Sequence, residues 1–221
     1  MSGKSKNMTV WIVFAFIGIL VSGTMVWADN INVGDTIYLY DGPGTTNGGE
    51  FRLYNSGGTY QFNTFCVETT EFFNYGQPLT VAGISDRAYY GGIGPAGDPL
   101  NPQTAYLYTQ FRNGSLTRLN DSSYSSNPDD SANALQAAIW YFEEGGELPA
   151  EETLARKWVD EANAARWTGI GNVRVLNLEN ASGGRAQDQL VLVPEPTTLL
   201  LIGSGLIGFG LLRRRKFRTK P

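Results

Sequence analysis

Tyr60-Gln61-Phe62-Asn63-Thr64-Phe65-Cys66-Val67-Glu68 alternates along its length, with Tyr60, Phe62, Thr64 and Cys66 on one side. A period of two that is rich in aromatic and β-branched residues predicts a strand. On a regular strand Cys66 shares its face with aromatic rings. Working outward, Thr36 to Tyr40 repeats the pattern and meets an expected turn at Asp41-Gly42-Pro43-Gly44, and Gly48-Gly49 breaks the next segment. The stretch from Asp29 to about Gly114 therefore reads as strands and turns, with a loop-like run from Gly91 to Pro102. Thr104 to Phe111 fits a helix or a strand.

The pattern changes further on. Ser122 to Asp130 is polar and loop-like. From Asp130-Ser131 the residues Leu135, Ala138, Ile139 and Phe142 fall at helical spacing, until Gly145-Gly146 ends the run. Asp129 and Asp130 suit the N-terminus of that helix through capping and the helix dipole. A second helix is expected from about Pro149, with Leu154, Trp158 and Ala162 on one face. Val173 to Leu178 and Leu190 to Val193 read as closing strands. The predicted class is α+β: a β-rich domain, barrel-like or sandwich-like, with an inserted pair of helices. No internal repeat is visible.

Composition narrows the function. Between Asp29 and Val193 lie 9 basic and 20 acidic residues, a net charge near -11. Such a surface repels nucleic acid, whose phosphates need clustered Lys and Arg. The chain has no histidine, which removes Ser-His-Asp and Cys-His nucleophile pairs and most zinc sites. No metal or cofactor is expected. Cys66 is the one cysteine, so no intramolecular disulfide can form, which points to intermolecular pairing or to a thiol put to another use.

Both ends carry export signals. Lys4 and Lys6 precede the apolar run Met8 to Val21, and Val26-Trp27-Ala28 forms a small-residue exit, so residues 1–28 read as a signal peptide. At the other end, residues 194–221 hold Pro194-Glu195-Pro196, a Gly-rich apolar run from Leu199 to Leu212, and Arg213-Arg214-Arg215-Lys216. The run is near bilayer length, and the basic block would hold its end in the cytoplasm. These three parts in this order resemble the PEP-CTERM sorting tail of Gram-negative bacteria that make exopolysaccharide. The resemblance implies an inner-membrane-anchored precursor, processing by an exosortase near Pro194-Glu195-Pro196, and a destination at the cell surface or in the extracellular matrix.

The domain between, residues 29–193, carries a second resemblance. Phe65-Cys66-Val67 on a strand, followed much later by Gln136-Ala137-Ala138-Ile139-Trp140 on a helix, resembles the internal thioester domain of bacterial surface adhesins. Leu135 stands where that family usually has Thr or Ser. The resemblance implies a bond between the Cys66 sulfur and the Gln136 side-chain carbonyl, made with loss of ammonia and opened by an amine-bearing target. Phe65, Val67, Ala138, Ile139 and Trp140 would flank it, and Phe62, Phe65, Trp140 and Tyr141 would keep it dry. Because the bond acts once per molecule, this is covalent capture in adhesion or biofilm, not enzyme turnover, and no residue is catalytic in the turnover sense.

Other readings stand beside it. A lone Cys on an apolar strand is ordinarily packing, which makes the protein a non-covalent structural or carbohydrate-binding matrix component. Tyr89-Tyr90 and the tryptophans would then stack on sugar rings. A glycosidase-like carboxylate pair (Glu68 and Glu71, or Glu151 and Glu152) needs a spatial separation that sequence does not reveal. Asp129-Asp130 and Glu143-Glu144 lack the spacing of a calcium loop.

Overall fold

Ile37 and Leu39 alternate with more exposed neighbours along β1 (Thr36–Thr45) and are fully buried, as a half-buried strand requires. The computed structural model describes residues 29–45, 48–89, 98–116, 127–151 and 153–193, with Gly205. The expected signal peptide, the Pro-Glu-Pro motif, the apolar run and the basic block lie outside them, apart from Gly205. No helix among the described residues is long and apolar enough to cross a membrane.

β1 does not turn at Asp41-Gly42-Pro43-Gly44. It bulges between Asp41 and Gly44 and continues to Thr45, paired antiparallel with β2 (Gly48–Asn55). The turn residues permit this because Gly42 lies against the Glu50 carbonyl, where any Cβ would overlap it. β3 (Tyr60–Thr64), β4 (Pro78–Ser85), β7 (Val173–Asn180) and β8 (Arg185–Leu192) complete one antiparallel sheet in the order β3-β2-β1-β4-β7-β8. A short ribbon of β5 (Arg87–Ala88) and β6 (Asp98–Pro99) stands apart, within the expected Gly91–Pro102 loop for its second strand.

The architecture corrects the expected barrel or sandwich. The sheet is single and its ladder stays open. Its two edges, β3 and β8, meet through one isolated bridge, Cys66 to Gln189. Full closure would need a continuous ladder between them, and β3 ends at Thr64. The closing strands are both longer than expected, because Asn180 and Gly183 form a tight hairpin turn that lets β8 begin at Arg185.

The described residues hold three helices, not two, all between β6 and β7. The ambiguous Thr104–Phe111 segment lies in α1 (Pro102–Arg112), where Thr104, Ala105, Leu107 and Tyr108 are buried on one side. α2 (Pro128–Glu143) starts two residues before the expected position, with Pro128 in its first turn. α3 (Leu154–Ala165) starts later than Pro149, because the Thr153 side chain accepts a hydrogen bond from Arg156 N–H and caps it at 3.1 Å.

Two apolar clusters follow. One joins the three helices to Phe65, Val67 and the β7–β8 residues Val173, Val175, Leu190 and Leu192. The other lies across the sheet around Ile37, Leu39, Leu53, Phe62, Cys66, Val81 and Leu178. The strand alternation thus continues past Thr64: Phe65 and Val67 enter the helix cluster, and Cys66 the sheet cluster. Arg112 donates to both Asp29 oxygens at 2.7 Å, and Leu192 N–H donates to Asp29 at 2.9 Å. This buried pair ties α1 to the last strand.

Candidate functional site

The segment after β3 is stitched to β8 by a run of polar contacts. Thr64 Oγ1 donates to the Leu190 carbonyl (2.7 Å), Leu190 N–H to the Phe65 carbonyl (3.0 Å), and Val67 N–H to the Asp188 carbonyl (3.2 Å). Asp188 N–H donates to Glu68 Oε2, and Gln187 Nε2 to the Glu68 carbonyl. These bonds fix the backbone of Cys66 on both sides, and its side chain is 1% exposed.

α2 is set by the β1–β2 hairpin. Gly44 N–H donates to Asp129 Oδ1 (3.0 Å), and Thr45 N–H to Asn133 Oδ1 (2.8 Å). Asp129, Asn133, Gln136 and Trp140 recur at intervals of three and four, so they share one helix face. That face looks towards the hairpin and Cys66, while Leu135, Ala138 and Ile139 enter the helix cluster. Gly48 makes the close approach possible. Its φ is +149°, and a Cβ there would lie 2.7 Å from Trp140 Cη2 and 3.0 Å from Gln136 Cγ.

The structure brings Cys66 and Gln136 together. Cys66 Sγ donates to Gln136 Oε1 at 3.3 Å, and Gln136 Nε2 donates to the Cys66 carbonyl at 2.8 Å. Gln136 is also 1% exposed. It lies mid-helix rather than near the helix start, because α2 begins earlier than expected. Burial pushes the Cys66 thiol pKa well up, and the nearby Trp140 acts against that rise. The thiol is therefore protonated at neutral pH. A protonated thiol against an amide carbonyl places a nucleophilic atom, an acyl carbon and a proton for the leaving nitrogen side by side.

Cys66 opens onto a cavity of about 420 Å³, lined also by Gly48, Phe51, Thr69, Phe72, Phe73, Tyr75, Trp140 and Gln187. The rings form a connected wall: Phe51 and Phe73 meet edge to face at 5.1 Å, and Phe73 and Tyr75 at 5.7 Å. Tyr75 donates to Asp41 Oδ1 at 3.1 Å; burial and that carboxylate push its pKa up to about 12. Phe72 is 77% exposed at the rim.

The expected flanking residues divide. Trp140 lines the cavity, and Phe62 packs in the Cys66 cluster. Phe65, Val67, Ala138 and Ile139 are buried in the helix cluster and Tyr141 packs against it, so of the expected cover only Phe62 and Trp140 lie on the Cys66 side, where Phe51 and Phe73 join Trp140 in the cavity wall. The sequence carried a signal for the missed wall: Phe72-Phe73-Asn74-Tyr75 is an aromatic run just after Cys66. Glu68 is buried and bonded into β8, while Glu71 is partly exposed. Among the described residues no acidic or Cys group has a metal-holding arrangement.

Comparison with known proteins adds one match, at the tail. Residues 192–216 match the PEP-CTERM protein-sorting motif, which begins at the last residue of β8. No curated protein and no solved structure matches the chain, so the adhesin resemblance rests on its own residues, without support from these comparisons. The matched tail marks an exported protein that passes through a membrane-anchored precursor and is sorted by an exosortase.

Proposed function

We propose that this exported protein attaches covalently to an amine-bearing target through a thioester between Cys66 and Gln136, at the cell surface or in the extracellular matrix. The observation that carries the reading is the reciprocal buried contact, Sγ to Oε1 at 3.3 Å and Nε2 to the Cys66 carbonyl at 2.8 Å. In bond formation Cys66 Sγ attacks Gln136 Cδ. The Cδ–Nε2 bond breaks, and the thiol proton leaves with that nitrogen as ammonia. An incoming amine then attacks Cδ, forms an amide and frees the thiol. The aromatic cavity limits water at the acyl carbon. The acidic domain surface draws a cationic amine towards it. Capture happens once per molecule, so the protein is not an enzyme.

Intact mass of the mature protein tests this. Wild type is expected to be lighter by one ammonia, the Cys66→Ala variant to have its full mass, and methylamine to add to wild type alone. A full wild-type mass with a titratable thiol sinks the covalent reading.

A second reading has its own supporting feature. Tyr38, Tyr40 and Tyr54 line a separate cavity of about 410 Å³ with Ser56 and Gly58, and the Tyr40 and Tyr54 rings meet edge to face at 5.3 Å. Amphipathic rings of this kind suit sugar faces. In this reading the protein binds matrix polysaccharide non-covalently, with Cys66 held as a buried thiol. Retention on polysaccharide that is lost in Tyr40→Ala, with no ammonia deficit, would favour it.

A further inference from the structure

We propose that the indole N–H of Trp140 is the catalytic donor that stabilises the Cys66 sulfur as it leaves the acyl group, an inference that rests on the thioester reading. Trp140 follows Gln136 by four residues on α2, so both side chains project from the same helix face. Both it and Cys66 line the same cavity. Its Nε1–H is buried and has no hydrogen-bond partner. An indole N–H can only donate, and a buried donor without an acceptor is costly and rare. Its nearness to Cys66 at that cavity acts against the burial that opposes thiolate formation.

The chemistry gives this donor a task. When an amine attacks Gln136 Cδ, the C–N bond forms and the Cδ–Sγ bond breaks, with the electron pair leaving on sulfur. The amine gives up one proton to water, and water returns one to the sulfur, so an amide and a free thiol result. Between these steps negative charge sits on a sulfur in a largely apolar pocket. A preorganised N–H aimed at that atom is worth more there than in water. The neighbouring rings of Phe51 and Phe73 have no such donor. Gly48 lets Trp140 pack this closely, since a Cβ there would lie 2.7 Å from the indole.

The test replaces the donor and keeps the ring. Trp140→Phe is expected to retain the ammonia deficit but to add methylamine at least about tenfold more slowly by intact mass. In a Gln136→Ala background, where no thioester can form, Trp140→Phe is expected to move the pH profile of Cys66 alkylation by iodoacetamide to higher pH. An unchanged profile overturns the proposal, as does a wild-type rate of methylamine addition. If wild type has no ammonia deficit, the thioester reading fails by itself, and the alkylation profile still decides whether Trp140 serves the sulfur. Should Trp140→Phe not fold, the indole proton of the wild-type protein opened by methylamine is followed by NMR. A resonance that titrates with Cys66 supports the donor role, and one that stays fixed through the thiol titration overturns it.

Discussion

Two buried polar contacts join helices to the end of the sheet, and they differ in kind. Arg112 of α1 holds Asp29 across 83 residues of sequence with two charged bonds of 2.7 Å. Gln136 of α2 holds Cys66 across 70 residues with neutral bonds of 3.3 and 2.8 Å. In the first pair the carboxylate accepts two bonds from the guanidinium and one from Leu192 N–H. Nothing in it can react, and it serves as a staple. The second pair sets an uncharged nucleophile against an uncharged acyl carbon beside a cavity. Ionic pairing secures geometry and ends there, whereas a neutral pair in a dry site keeps a reaction available.

The contrast can be broken from the staple side first. Arg112→Ala leaves the Asp29 carboxylate buried without its partner and should cost about 3–5 kcal/mol, read by urea denaturation. Where the variant remains folded its ammonia deficit should be intact, because the two contacts are on different helices. Loss of the deficit in folded Arg112→Ala would show that the two are coupled.

Next in size is Glu143, which is 3% exposed and accepts from Asn101 N–H. Burial raises its pKa from the ordinary 4.5 to about 8. The folded chain therefore holds this proton more tightly than the unfolded chain. The resulting stability is complete below about pH 4.5 and is lost as pH rises through about 8. Glu143→Gln should leave the melting temperature nearly unchanged at pH 4 and stabilise by on the order of 2 kcal/mol at pH 9. An equal effect at both pH values would remove burial of the charge as the cause.

Gly48→Ala sharpens the comparison at the reactive pair. The added methyl group crowds Gln136 and Trp140 at a backbone angle that favours glycine, for about 1–3 kcal/mol. The mass deficit should fall with it, while Asp29 and Arg112 stay paired. The smallest effect is expected for Cys66→Ala, about 1 kcal/mol by urea denaturation, with the deficit abolished. Arg112→Ala should thus damage stability most and chemistry least, and Cys66→Ala the reverse.

Much of this was legible locally. The period of two placed Cys66 with Phe62 and set Phe65 and Val67 on the opposite face, and the clusters follow that division. The helical spacing of Leu135, Ala138 and Ile139 identified the core face of α2, which leaves Gln136 and Trp140 on the other. Boundaries were less legible. Asp41-Gly42-Pro43-Gly44 has the composition of a turn but is held in a bulge by its pairing with β2, and pairing is not a local property. α1 was ambiguous because Tyr and Thr suit strands, and burial against the other helices overrode that preference. The aromatic wall was missed because Phe51 of β2 joins the Phe72–Tyr75 run only through packing.

The sequence alone determined the sorting tail, the absence of histidine chemistry, the acidic charge of the domain, and which side of the Cys66 strand and of α2 their residues occupy. Those are matters of composition, order and short-range periodicity. Only the tertiary structure decided that Cys66 meets Gln136, that the buried Trp140 N–H is left without a partner at the Cys66 cavity, and that the sheet edges join at a single bridge. Each of these joins parts of the chain tens of residues apart. Periodicity assigns a residue to a face, but packing of the hairpin, α2 and β8 selects which faces meet.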